Sequence, residues 1–157
     1  MPGSRTVALV ALLSLAVGSA GCRPARGGSA RSEALAISHA VVVVPTSPGE
    51  ATSFLVLENR GSAPVTLVGA ASPDAETVQL HSMAGGRMDP VARLDIAPGG
   101  RVLFAPGRYH LMLEGLRRAL VAGDTVSLEL RFEGAGALIV RAPVLRYTEA
   151  VSEMPGR

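Results

Sequence analysis

No stretch between Leu35 and Arg146 keeps apolar residues at a helical spacing. Short apolar runs instead recur every eight to twelve residues, separated by Gly, Pro and Asp. The punctuation includes Asn59-Arg60-Gly61, Ala97-Pro98-Gly99-Gly100, Ala122-Gly123-Asp124 and Glu133-Gly134-Ala135-Gly136. A chain cut this way cannot build a helical bundle. It predicts an all-β sandwich or barrel of about seven to nine strands. The candidate strands are Ile37–Val44, Ser53–Glu58, Val65–Ala70, Thr77–Met83, Arg93–Ile96, Arg101–Phe104, His110–Leu116, Thr125–Phe132 and Ala137–Pro143. No internal repeat is visible.

What precedes the body reads as an address. Arg5 is followed by an apolar run, Val7 to Val17, too short to span a bilayer as a stable helix. Gly18, Ser19, Ala20 and Gly21 then lead to Cys22, so residues 1–21 read as an export signal. Ser-Ala-Gly-Cys resembles the bacterial lipobox, in which the cysteine is lipidated and becomes the new N-terminus. Ser19 stands where an aliphatic residue is usual. Residues 22–34, with the run RPARGGSARSEA, predict a flexible tether after the lipidation candidate Cys22. The body is then 35–146, and 147–157 read as a tail. The expected location is the bacterial periplasm or cell envelope, tied to the membrane by a lipid anchor on Cys22.

Composition excludes several classes. Cys22 is the only cysteine and precedes the body, so internal disulfides, cysteine chemistry and a thiolate-ligated blue-copper site are ruled out for the domain. All 15 basic residues are Arg, so neither a Schiff-base lysine nor a P-loop lysine exists. The net charge of +2 and the five scattered aromatics give no electrostatic clamp or stacking surface for nucleic acid. Gly-x-Ser-x-Gly, His-Glu-x-x-His and framed carboxylate pairs are absent, so no enzyme is expected.

Two strands break the alternation of core and solvent positions. In TVQLHSM, Val78 and Leu80 share one parity, and Gln79, His81 and Met83 the other. In YHLML, Tyr109, Leu111 and Leu113 form the core set, leaving His110, Met112 and Glu114 outside. Each His-x-Met pair alone would be core filler or a surface histidine. A third element joins them. Gly85-Gly86 predicts a two-residue turn, pairing Ala84 with Arg87 and Met83 with Met88. Three of the five methionines and two of the three histidines thus gather on one side. Thioether sulfur is a soft, neutral donor that suits Cu(I) and serves hard cations poorly. His39 and Met154 have no such partners. Glu114, Asp89 and Arg87 are candidates for supporting contacts around a site.

His81, Met88 and then His110-x-Met112 resemble the motif of the periplasmic copper chaperones of the PCuAC family. The 21 residues between Met88 and His110 match that family's spacing. The segments VTLVGAASPDAETVQLH, IAPGGRVLFAPGRYHLMLEGLRRALVAGDTVSLELRF and GALIVRAPV are similar to family text. The family usually places ten residues between its first two ligands, whereas six separate His81 from Met88 here. Losing two residues from each arm of a hairpin preserves side-chain parity, so Met88 still meets His81.

The resemblance implies a cupredoxin-like Greek-key β-sandwich or barrel. It implies a copper chaperone holding Cu(I), with Cu(II) as an alternative occupant, through His81, Met88, His110 and Met112, and Met83 as an alternate ligand. It further implies a copper-accepting partner, either an oxidase subunit or a Sco-type protein, and a role in assembling the copper centres of cytochrome c oxidase. The alternatives are a metal-free structural or adhesion lipoprotein and a copper storage or resistance protein.

Overall fold

The computed structural model describes residues 28–32 and 34–156; the predicted export signal, Cys22 and the first part of the predicted tether lie outside the described residues. The strands are β1 (Gly28–Arg31), β2 (Leu35–Val43), β3 (Glu50–Asn59), β4 (Val65–Ala71), β5 (Thr77–Ser82), β6 (Asp89–Pro90), β7 (Leu94–Ile96), β8 (Arg101–Phe104), β9 (His110–Glu114), β10 (Thr125–Glu133) and β11 (Gly136–Leu145). A single 3₁₀ turn, Ala84–Gly86, lies between β5 and β6, and helix α1 (Tyr147–Ser152) follows β11.

Seven strands close a ring in the order β2-β11-β10-β4-β5-β9-β3, with β3 pairing back onto β2. All neighbours in the ring are antiparallel except β11 and β2. The remaining strands hang from it: β1 on β2, β8 on β3, β7 on β4 and β6 on β5. The fold is the cupredoxin-like all-β barrel that the sequence predicts. Its strand number is larger than expected because β1 and the two-residue β6 add ladders too short to leave a pattern.

Alternation builds the core. In β10, Val126, Leu128, Leu130 and Phe132 point inward, while Thr125, Arg131 and Glu133 stay exposed. They pack with Leu35, Ile37, Leu55, Leu57, Leu111 and Leu113 inside the ring.

Two predictions need correction. Gly28–Arg31 pair with Ala36–Ala40 of β2 where a tether is expected, since a strand edge recruits backbone groups without requiring apolar side chains. The tail contains α1, whose Ala150 is fully buried against Val41, Val43 and Phe54. Met154 packs on the same small cluster, which contains none of the predicted ligands. That cover explains the run Val41-Val42-Val43: Val42 faces the main core and its neighbours face α1.

Candidate functional site

The register of β5 against β9 sets the site. His81 lies opposite His110, Gln79 opposite Met112 and Thr77 opposite Glu114. Directly opposed residues share a face, and the alternate pairs Leu80–Leu111 and Val78–Leu113 fill the core. Across the other edge of β9, Thr52 opposes Met112 and Glu50 opposes Glu114. One outer face of the barrel thus carries three rows: the two imidazoles, then Gln79, Met112 and Thr52, then Thr77, Glu114 and Glu50.

The imidazoles are more secluded than strand parity suggests. Each is only 7% exposed, and the two rings are neighbours at a centroid separation of 5.8 Å and a tilt of 38°. His110 Nδ1 lies 3.3 Å from the carbonyl oxygen of Arg108. A carbonyl only accepts, so Nδ1 carries the proton and donates, leaving the Nε2 lone pair of the neutral ring free. Burial pushes His110 below the ordinary histidine range; the Arg108 hydrogen bond opposes that shift, and the nearby His81 adds to it. His81 Nδ1 is buried and has no hydrogen-bond partner among the described residues. Such an orphan costs about 1–3 kcal/mol in a metal-free fold.

The Arg108 carbonyl has a second role. It also accepts from the backbone N–H of Met83 at 3.2 Å, tying the base of the β5–β6 hairpin to the start of β9. The hairpin pairs His81 with Pro90 and Ser82 with Asp89, and the ladder ends there: the expected Met83–Met88 pair does not form, because the Met83 backbone leaves the extended region at φ −101° and ψ 21°. The turn itself differs from expectation. Gly85 and Gly86 both take left-handed φ, at 70° and 76°, but the closing bond runs from Gly86 N–H to Met83 O, one residue early. Two consecutive left-handed residues strongly favour glycine.

The predicted residues therefore divide. The structure brings His81 and His110 together and puts Met112 next along the same face of β9. Met83 is half-buried at the hairpin base. Met88 sits on the returning arm and is 52% exposed. Among the supporting candidates, Glu114 accepts from Thr77 and Gln79, while Arg87 and Asp89 form an exposed 3.5 Å pair. His39 is exposed at a bulge in β2, with φ of 54°.

Sequence reasoning missed Thr52, whose hydroxyl donates to the Met112 sulfur at 3.4 Å. Nothing in EATSFLVLEN marks it; only the pairing of β3 with β9 does. Among the described residues no three His, Cys, Asp or Glu side chains converge to hold a metal. This face offers two imidazoles and one thioether, donors that suit a soft ion better than a hard cation. The ring separation suits two imidazoles sharing one ion at nitrogen–metal bonds of about 2 Å.

The model of the LpqE-like family, described as "Putative lipoprotein LpqE-like", matches residues 35–144. "Putative lipoprotein Lxx21020" of Leifsonia xyli subsp. xyli (strain CTCB07) is 32% identical over 113 residues, covering 69% of this chain and 68% of that protein. Among solved structures, the copper-bound PCuAC domain from PmoF2 superposes with a TM-score of 0.67 at 25% identity, covering 75% of this chain and 97% of that one. The Cu(I) form of DR1885 from Deinococcus radiodurans gives a TM-score of 0.60 at 31% identity, covering 69% and 76%. The body of the chain is a PCuAC-type domain.

Proposed function

The chain belongs to the LpqE-like lipoprotein family, and on that premise we propose that it is an extracytoplasmic copper carrier, held at the cell envelope by a lipid on Cys22. His81, His110, Met112 and Met88 bind Cu(I), and Met83 is the alternate for Met88. The observation that carries this reading is the buried, unpartnered Nδ1 of His81 beside His110, whose own Nδ1 is occupied and whose Nε2 is free to bind. Two imidazoles side by side, with a thioether on the same face, are of little use to a surface and well suited to a soft monovalent ion. The copper-bound PmoF2 domain and the Cu(I) form of DR1885 support the same ion here.

The ion is cargo, and the chain does no covalent chemistry. Imidazole Nε2 of His110 and the Met112 sulfur bind from a rigid strand. Met88, exposed on the hairpin, gives way to an incoming ligand, so copper leaves by exchange rather than by unfolding. Neutral donors lower the cost of release, because no anionic thiolate is left bare. The acceptor is an oxidase subunit or a Sco-type protein in the periplasm, and the delivery serves oxidase copper-centre assembly. Cu(II) prefers nitrogen and oxygen and would draw on the two imidazoles rather than on the thioethers.

Anaerobic Cu(I) titration against a competing chelator tests the binding. Tight 1:1 uptake is expected, falling more than about a hundredfold in His110→Ala/Met112→Ala, since loss of even a supporting residue costs 10–100-fold at metal sites. Unchanged affinity in the double variant removes these residues from the site. No uptake by the native chain leaves the metal-free lipoprotein reading. X-ray absorption of the loaded protein counts nitrogen and sulfur neighbours directly.

A further inference from the structure

Met112 is held from one side only. On β5, its direct neighbour Gln79 turns its amide to the Glu114 carboxylate, donating from Nε2 at 3.1 Å, and Thr77 donates to the same oxygen at 3.2 Å. Those bonds draw the polar side chains of β5 away from the thioether. On β3, Thr52 sits opposite Met112 and donates its hydroxyl to the sulfur at 3.4 Å. No other polar side chain reaches that sulfur among the described residues. The contact spans sixty residues of sequence, so it exists only because β3 and β9 are neighbours in the closed ring.

We propose that Thr52 is a positioning residue for copper capture: its hydroxyl, donating to the Met112 sulfur from β3, restricts that side chain on the face it shares with His110 and leaves the second sulfur lone pair for the ion. The proposal rests on the copper-carrier reading and goes beyond it by assigning a role to a residue that does not touch the ion. The physical basis is the looseness of methionine. Three rotatable bonds let an untethered thioether wander, and each rotamer-rich side chain that must be ordered on binding weakens affinity by about two- to tenfold. A weak O–H···S bond pre-orders the side chain before the ion arrives. Sulfur has two lone pairs, so one can accept from Thr52 while the other remains for the metal. Thr52 is itself half-buried in β3.

The test compares Thr52→Val, which keeps shape and strand propensity but removes the donor, with Thr52→Ser, which keeps the donor. In the metal-free protein, the Met112 methyl resonance should shift and sharpen toward a freely rotating value in Thr52→Val and stay native-like in Thr52→Ser. Chelator competition should then give Cu(I) binding about three- to tenfold weaker for Thr52→Val, with recovery in Thr52→Ser. A native methyl signal together with native affinity in Thr52→Val overturns the proposal while leaving the copper-carrier reading intact. Tighter binding in Thr52→Val overturns it also, since the hydroxyl would then compete with the ion. Absence of Cu(I) uptake by the native chain overturns both.

Discussion

His81 and His110 stand opposite one another on adjacent antiparallel strands, their rings 5.8 Å apart, and only one of the two has its Nδ1 satisfied by the protein. That asymmetry makes the metal-free fold carry a cost at His81. Replacing His81 by Phe removes the orphaned nitrogen while keeping a flat ring beside His110. Chemical denaturation of the metal-free variant should show stability equal to the native protein or about 1 kcal/mol higher. Cu(I) binding should be lost at the same time. A variant destabilised by more than about 1 kcal/mol would mean that His81 is a structural group.

Acid should release the ion later than free imidazole would. Burial depresses the His110 pKa, so the neutral ligating form persists below the ordinary histidine value of about 6.5. Cu(I) affinity should hold through pH 6.5 and weaken further down, and an NMR titration of the His110 ring should place its midpoint below that of a model peptide. The linkage sign for the metal-free fold is the same. In the acid range the unfolded chain takes up the proton first, so the stability tied to a neutral His110 is present above about pH 6.5 and is lost as pH falls through the folded value. A midpoint at or above 6.5 would contradict the burial of this ring.

Two glycines should respond differently to alanine. Gly85 has a left-handed φ of 70° with open space around it, so Gly85→Ala adds only backbone strain, about 1 kcal/mol. Gly115, at φ of 64°, would drive a Cβ to within 2.7–2.8 Å of the Glu76 side chain, whose segment also hydrogen-bonds to the end of β9. Gly115→Ala should therefore lower the melting temperature distinctly more than Gly85→Ala. Equal shifts would show that Glu76 moves aside freely.

The C-terminal helix closes the outer face of β2 and β3. Ala150→Asp puts a carboxylate against Val41, Val43 and Phe54 with no partner from that cluster. A loss of about 2–4 kcal/mol is expected in denaturant unfolding. Unchanged stability would mean that α1 detaches without consequence.

Much of this was legible because barrels impose period two. The inward set of β10 and the shared face of His81, His110 and Met112 both follow from counting alternate residues. The hairpin register was legible too, since Gly85-Gly86 fixes where the chain reverses. What escaped were effects of distant covering and pairing. Val41 and Val43 look like ordinary core, yet they pack under a helix about a hundred residues away in a segment too short to show a helical period. The seclusion of the imidazoles, each 7% exposed on an outward-facing position, is something alternation cannot reveal. Thr52 was invisible because its partner is set by strand order, not by local pattern.

The hairpin that bears Met88 is fastened differently from the strands bearing the histidines. β5 and β9 are staves of a closed hoop, whereas β6 is joined to it by a two-residue ladder on β5 alone. If the chain carries copper as proposed, a donor mounted on such a latch would swing clear at the loss of a couple of rungs, while the paired rings stayed where the hoop fixes them. Release would then be staged: the latch lifts, a foreign ligand takes its place, and the barrel stays as it was for the next load.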